Sequence, residues 1–274
     1  MLLFDLVLLV LGGLAGGFLV GLVGVGGGIV YAPVLLVSLQ HRGIVDPVLT
    51  PLVLGTSLFC VGFAAASGAR AQWRAGEVRG RVAVISGVAA ALALALAGAL
   101  VTTRAWYDRE AFQLVFGSFL ALVGLQMILA RAGRTDDGIV PERAGTALPA
   151  AAGALAGGLA AAAGVGGGVI LMPLYHGMLR IPTRAAVGTS TAAIMIIAAA
   201  GALTYAILGR GAAVPTGAVG YVDLLSGVAL AAPAMLTARA GVIAGRRLPV
   251  RAVRLSFGIV ALLVAARLLA GALL

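Results

Sequence analysis

The chain has 274 residues, of which 62% are hydrophobic and 10% are charged, and its mean hydropathy is +1.13. Soluble domains carry about 25% charged residues, so this composition excludes a soluble enzyme, a secreted disulfide scaffold and a disordered chain. The long apolar runs favour helices over a β-barrel, whose strands alternate over about ten residues. We therefore expect an all-α, polytopic membrane protein.

The net charge is +10, and all 19 basic residues are arginine. The arginines lie between the apolar runs, which is typical of topology signals and lipid-facing anchors rather than of contacts to nucleic acid. We therefore expect the lipid bilayer as a partner and no nucleic acid. Cys60 is the single cysteine, so no internal disulfide can form.

Ten apolar segments, separated by charged or turn residues, divide the chain. In chain order they are approximately 3–22, 29–39, 47–67, 81–102, 111–130, 147–163, 169–179, 185–208, 218–238 and 252–273. The polar stretch 132–146 separates two groups of five segments. We therefore divide the chain into a first membrane repeat at 1–131, this linker, and a second membrane repeat at 147–274.

The two halves resemble each other in three kinds of motif that recur in the same order. Residues 24–29 read GVGGGI and recur as GVGGGV at 164–169, and Pro33 recurs as Pro173 at the same offset. The next helix then carries Gly-Thr-Ser at 55–57 and again at 188–190. A single glycine-rich match would be weak evidence in a chain with 41 glycines, but an ordered series of matches predicts an internal duplication.

In each half a long segment precedes the glycine run, and a short segment of about eleven residues follows it, which reaches about half way through a 30 Å core. If the long and short helices return to the starting side, 14 arginines lie on one side of the membrane and 5 on the other. If each unit is one broken crossing, the division is 9 against 10. The positive-inside rule therefore favours two inverted repeats, each with a returning, glycine-interrupted helix pair plus three transmembrane helices. The arginine-rich side, with the linker, would be cytoplasmic.

The glycine runs are the candidate substrate site. Consecutive glycines break a helix, permit positive φ and let backbone amides approach a ligand. The short helix that follows aims its N-terminal amides and partial positive charge at the break, a geometry that binds anions. Serine and threonine hydroxyls on the next helix could add donors. The candidate substrate-binding residues are Gly24, Gly26, Gly27, Gly28, Thr56, Ser57, Gly164, Gly166, Gly167, Gly168, Thr189 and Ser190.

Two interpretations in which these residues have only a structural role stay open. The glycines could serve only to let helices pack closely, and the hydroxyls could bond back to their own helices. Pro33 and Pro173 are predicted to mark a structural bend or the first turn of the short helices.

Enzyme motifs are absent from the sequence. His41 and His176 are far apart, no GxSxG segment occurs, and the chain has no lysine for a Walker motif. Ile29 stands where a dinucleotide-binding GxGxxG loop beginning at Gly24 needs glycine. We therefore expect no catalysis, no cofactor and no metal.

The two copies of G-x-G-G-G-[IV]-x-x-x-P, each followed by Gly-Thr-Ser, resemble the TauE/SafE family of sulfite exporter or anion permease-like membrane proteins. The resemblance covers nearly the whole chain. It implies transport of sulfur-containing anions, such as sulfite, sulfoacetate or other organosulfonates, across the bacterial inner membrane. The segments preceding the Gly-Thr-Ser motifs differ between the halves, so the halves could contribute unequally to the site.

The sequence therefore favours a carrier that moves a small anion by alternating access. An anion channel and a non-transporting membrane scaffold or assembly factor are the alternatives. The sequence leaves open the exact substrate, the direction of transport, the coupling ion and the oligomeric state, for which a homodimer is one option.

Overall fold

The computed structural model describes residues 3–102, 109–129 and 145–273. Within these ranges the chain forms helices, one π-helical turn at Gly98–Thr102 and a two-stranded hairpin, which confirms the all-α, polytopic architecture. The helices are α1 (Leu3–Val23), α2 (Gly28–His41), α3 (Leu49–Arg74), α4 (Gly80–Ala97), α5 (Arg109–Leu129), α6 (Ala147–Ala163), α7 (Gly168–Gly177), α8 (Thr183–Leu208), α9 (Leu224–Arg247) and α10 (Val250–Leu273).

Five of the described helices are long and apolar enough to cross a bilayer, namely α1, α3, α4 with the start of its π-helical turn, α8 and α9. Helices α2 and α7 have 14 and 10 residues, too few for a full crossing at 1.5 Å per residue. Of the predicted linker 132–146, residues 132–144 lie outside the described residues.

Two predicted segments differ from the observed elements. The segment predicted at 47–67 extends to Arg74, because arginine is a good helix former and does not end a helix. The segment predicted to begin at 218 begins as a hairpin instead, with β1 (Ala218–Val219) paired antiparallel to β2 (Val222–Asp223). Glycine at positive φ on either side of β1 makes this turn possible, and the Tyr221 amide docks it onto the Tyr205 carbonyl of α8 at 3.1 Å.

Each glycine run interrupts a helix pair that returns to its starting end. In the first half, Nδ1 of His41 at the end of α2 lies 3.1 Å from Oδ1 of Asp5 at the start of α1. In the second half, Tyr175 near the end of α7 bonds Ser86 of α4, and Ser86 also packs against Gly153 near the start of α6. In both halves these contacts bring the short helix back toward the end where the long helix begins, as a returning pair requires.

The first helix of each half packs along a helix of the other half. Helix α1 runs parallel to α9, with Gly13 against Leu230 and Gly21 against Ala238. A Cβ at either glycine would overlap the facing backbone carbonyl. Helix α6 runs parallel to α4 in the same way, so each half contributes one such parallel pair.

Equivalent helices of the two halves pack against each other antiparallel. Gly62 of α3 faces Ala198 of α8, and Gly68, further along α3, faces the earlier residue Thr191. Helices α5 and α10 also pack antiparallel. The glycine runs therefore lie between interlocked halves rather than inside one half.

Candidate functional site

Each glycine run adopts a backbone that only glycine takes readily. All residues of both runs are buried. The residues with positive φ are Gly24 (67°), Gly26 (90°), Gly164 (65°), Gly166 (76°) and Gly167 (76°). Gly27, by contrast, has φ −73°. The predicted breaks are therefore present, and the two runs share a sequence without sharing every torsion.

The two runs lie directly against each other. A Cβ on Gly26 would overlap the Val165 carbonyl oxygen, and a Cβ on Gly168 would lie 2.8 Å from the Gly24 carbonyl oxygen. The absence of side chains is thus what lets one main chain touch the other. The structure brings together the two runs that the sequence predicted to meet.

Backbone amides at both breaks have no acceptor among the described residues. In the first run these are the N–H groups of Val25, Gly26 and Gly27, and the second run has the same three positions open. The first turn of α2 closes with the Val30 and Tyr31 amides, which both donate to the Gly27 carbonyl at 2.9 Å. These open amides lie at the positive N-terminal ends of α2 and α7, where the helix dipole favours an anion.

The two serines hold these breaks from the opposite half. Ser57 Oγ donates to the Gly164 carbonyl at 2.8 Å, and Ser190 Oγ donates to the Gly24 carbonyl at 2.8 Å. Ser190 also reaches the Val187 carbonyl of its own helix at 3.0 Å. A hydroxyl has one hydrogen, and in this conformation each serine directs it to a carbonyl, so the predicted role of the serines as anion donors stays a prediction. A donor role toward substrate requires these bonds to break.

The two threonines accept hydrogen bonds from the residues that begin helices of the opposite half. The Asp223 amide donates to Thr56 Oγ1 at 2.9 Å, and the Arg79 amide donates to Thr189 Oγ1 at 3.0 Å. Asp223 and Arg79 are the N-cap residues of α9 and α4. The threonine oxygens thus fix these helix starts, and their predicted role toward an anion stays a prediction.

The glycine of each Gly-Thr-Ser motif permits this docking. A Cβ on Gly55 would overlap the Tyr221 carbonyl oxygen, and a Cβ on Gly188 would overlap the Glu77 carbonyl oxygen. In each motif the glycine lets the backbone approach the other half, the threonine accepts a hydrogen bond from it, and the serine donates one to it.

Pro33 and Pro173 lie inside α2 and α7, at the sixth residue of each helix. Pro33 has no N–H, so the Ile29 carbonyl loses its helical partner. Proline is thus at equivalent places in both short helices, and the predicted bend stays a prediction.

A buried ion pair that was not predicted from the sequence joins the two halves. Asp223 is fully buried, and Arg42 donates to its Oδ2 at 2.6 Å. Ser226 also donates to Oδ2 at 2.6 Å. The one sequence signal was an acid near a predicted span boundary. Arg42 lies 181 residues away, so spacing gives no hint of the pairing.

Two cavities are described, and neither is lined by the glycine runs. One of about 610 Å³ lies between α2, α5 and α10 and is lined by residues that include Gln113 and Arg267. The other, about 340 Å³, lies between α3 and α8 and is apolar. In this conformation the two runs are packed closed against each other.

Comparison with known proteins places the chain among membrane transporters. The family model described as sulfite exporter TauE/SafE matches residues 9–268. A probable membrane transporter protein of Haemophilus influenzae is 27% identical over 264 residues, covering 96% of this chain and 97% of that protein. One of Xylella fastidiosa is 31% identical over 200 residues, covering 71% of each chain. The probable membrane transporter protein YunE of Bacillus subtilis is 25% identical and covers 97% of each chain. No solved structure matches the chain significantly.

Proposed function

Because the chain belongs to the sulfite exporter TauE/SafE family, a family of membrane transporters, we propose that it is a secondary transporter of a small anion. The substrate class is a sulfur oxyanion or organosulfonate, such as sulfite or sulfoacetate. Two sets of open backbone amides, aimed from helix N-termini at the place where the halves meet, are the observation that carries this proposal. The amides of the two glycine runs are the primary ligands.

The packing supports two inverted halves. Helices α3 and α8 are equivalent in sequence and run antiparallel, as an axis in the membrane plane requires. Glu77 pairs with Arg246 at 3.4 Å, which brings the α3–α4 turn to the same end as the C-terminus of α9. Arginine is concentrated at this end, so we assign it to the cytoplasm with the linker, in a bacterial inner membrane.

Alternating access follows from contacts that cross between the halves. In the observed conformation the runs touch and Ser57 and Ser190 latch them together, so this is a closed state of the site. Movement of one half against the other opens the site to one side, exposes the amides and frees the serine hydroxyls for the anion. When the halves close again, the serines re-form their hydrogen bonds to the glycine-run carbonyls, and the site can then open to the other side of the membrane.

A thermal-shift screen of the purified protein tests binding. Sulfite, sulfate, thiosulfate, sulfoacetate and taurine are compared at equal ionic strength, with chloride as the salt control. A bound anion raises the unfolding temperature, because binding to the folded state adds RT ln(1 + L/Kd) to its stability, where L is the free anion concentration. We expect the unfolding temperature to rise with the concentration of at least one sulfur anion, and no rise with any of them would contradict the proposal.

Proteoliposomes separate the carrier from its rivals. Vesicles preloaded with unlabelled anion should take up labelled anion by saturable exchange if the protein is a carrier. Flux that fails to saturate and shows no exchange would indicate a channel. No flux above that of protein-free vesicles would indicate a scaffold.

A further inference from the structure

Tyr31 lies at the first glycine run, although sequence analysis did not select it. It is completely buried in α2, and its ring is held between Gly16 of α1 and Gly27 of the run. Helical side chains tilt toward the N-terminus, so the side chain of residue 31 covers the backbone four residues earlier. A Cβ built on Gly27 would lie 2.6 Å from the tyrosine Oη. The hydroxyl is therefore placed at the N-terminal end of α2.

The Tyr31 hydroxyl has no hydrogen-bond partner among the described residues. Tyr175 and Tyr205, which are also fully buried, behave differently, since Tyr175 bonds Ser86 and Tyr205 donates to the Ala161 carbonyl at 3.0 Å. A buried hydroxyl without a partner is destabilising, so such a group in a membrane interior calls for an explanation.

We infer that the Tyr31 hydroxyl donates a hydrogen bond to the transported anion, beside the open amides of Val25, Gly26 and Gly27. This inference rests on the proposed function. Two independent features meet at Gly27: open amides at a helix N-terminus, and a buried hydroxyl without a partner that lies 2.6 Å from where a Cβ on Gly27 would stand. An anion with several acceptor oxygens satisfies both, because the amides bind one oxygen and the hydroxyl another.

The second half has no equivalent donor. At the offset that relates the two glycine runs, Tyr31 corresponds to Leu171, which is also fully buried. The anion is therefore held more strongly by the first run than by the second. The site is asymmetric although the glycine motifs are duplicated.

Tyr31→Phe tests the inference, with Tyr175→Phe as the matched control. Both variants remove one hydroxyl from a buried tyrosine of a short helix. Without anion, Tyr31→Phe should unfold at the wild-type temperature or above, because it deletes an unpaired hydroxyl. Its affinity for the best sulfur anion of the screen should fall about ten- to a hundredfold, the range for a hydrogen bond to a charged group. Tyr175→Phe should unfold at a lower temperature and keep the wild-type affinity.

Several outcomes would overturn the inference and are distinguishable from failure of the proposed function. If Tyr31→Phe binds the same anion with wild-type affinity, the Tyr31 hydroxyl does not contact the anion. A Tyr31→Phe protein that is destabilised or fails to fold without anion would show that the hydroxyl has a structural partner. If no sulfur anion stabilises even the wild-type protein, the transport proposal itself fails.

Discussion

Ser57 and Ser190 show how one residue type can join two halves of a chain. Each serine donates to the first glycine carbonyl of the opposite run, at the same distance of 2.8 Å. Such a carbonyl, left by a broken helix in an apolar interior, needs a donor. The serines supply one from the neighbouring half, and this links the stability of the closed state to the integrity of both breaks.

Replacing either serine by alanine should destabilise the closed state. The Ser57→Ala variant leaves the Gly164 carbonyl buried without its donor, at a cost of about 1–2 kcal/mol. The control is Thr204→Val, because the Thr204 hydroxyl bonds the Ala200 carbonyl within its own helix. Thermal unfolding in detergent should show a lower midpoint for Ser57→Ala than for the control. Equal midpoints for the two variants would show that the hydrogen bond from Ser57 to the Gly164 carbonyl does not stabilise the closed state.

At this scale the sequence predicted the right residues but not all of their contacts. Gly27 and Gly167 occupy equivalent places, yet their φ values are −73° and +76°. The difference arises from the neighbours, since Tyr31 lies on Gly27 while Ala156 faces Gly167. Backbone torsions that depend on neighbouring residues in this way cannot be predicted from the duplicated motif alone.

At the scale of the elements, small residues set the distance between parallel helices. A Cβ on Gly157 of α6 would overlap the carbonyl oxygen of Ala90 in α4, whereas nothing lies within 4 Å of a Cβ on Gly158. Two adjacent glycines in one helix therefore have opposite environments. Close backbone approach replaces the hydrophobic effect as the cause of helix association in a bilayer.

These neighbours supply a matched pair of variants. Gly157→Leu should separate α6 from α4 and cost about 3 kcal/mol through overpacking, whereas Gly158→Leu should leave stability near that of the wild type. Size-exclusion chromatography and thermal unfolding of the two purified proteins measure the difference. Comparable destabilisation by both substitutions would show that the α4–α6 contact is wrong.

Element boundaries were predictable wherever apolar runs and glycine breaks decided them. The segment predicted at 147–163 coincides with α6, and the breaks after Val23 and Ala163 fall at the glycine runs. The hairpin before α9 was missed because its strands contain Ala218, Val219 and Val222, which extend the apolar run of α9. Its glycines at positive φ and its docking onto α8 distinguish it.

At the scale of the whole molecule, ion pairs tie the two halves together at both ends. Arg42 and Asp223 pair at the end where α2 finishes, and Glu77 and Arg246 pair at the arginine-rich end. The first pair is strongly buried, with Asp223 fully inaccessible, while Arg246 of the second is 41% exposed. Burial decides which of the two matters for stability.

Arg42→Gln should cost far more than Arg246→Gln. Removing Arg42 leaves Asp223 as a buried charge without its cation, a loss of about 3–5 kcal/mol. Removing Arg246 breaks a solvent-screened pair, worth about 0–1 kcal/mol. Thermal midpoints of the two variants measure this difference, and Arg42→Gln with Asp223→Asn should recover part of the loss. An Arg42→Gln variant with the wild-type thermal midpoint would show that the Arg42–Asp223 pair does not hold the two halves together.

The returning helix pairs could be predicted from the sequence because arginine counts report on membrane sides. Contacts such as Arg42 with Asp223 could not, since they join residues 181 positions apart and depend on how the halves interlock. The asymmetry of the site, with Tyr31 in one half and Leu171 in the other, likewise becomes visible only when the tyrosine hydroxyl is seen at the break.

We propose that a small sulfur anion binds where the two glycine breaks meet. An experimental structure of the protein with selenite, a scattering analogue of sulfite, tests it directly through the anomalous signal of selenium. We predict one strong peak within hydrogen-bonding reach of the Gly26 and Gly27 amides and the Tyr31 hydroxyl. A peak confined to the cavity beside Gln113 and Arg267, or no peak between the glycine runs at saturating selenite, would contradict it.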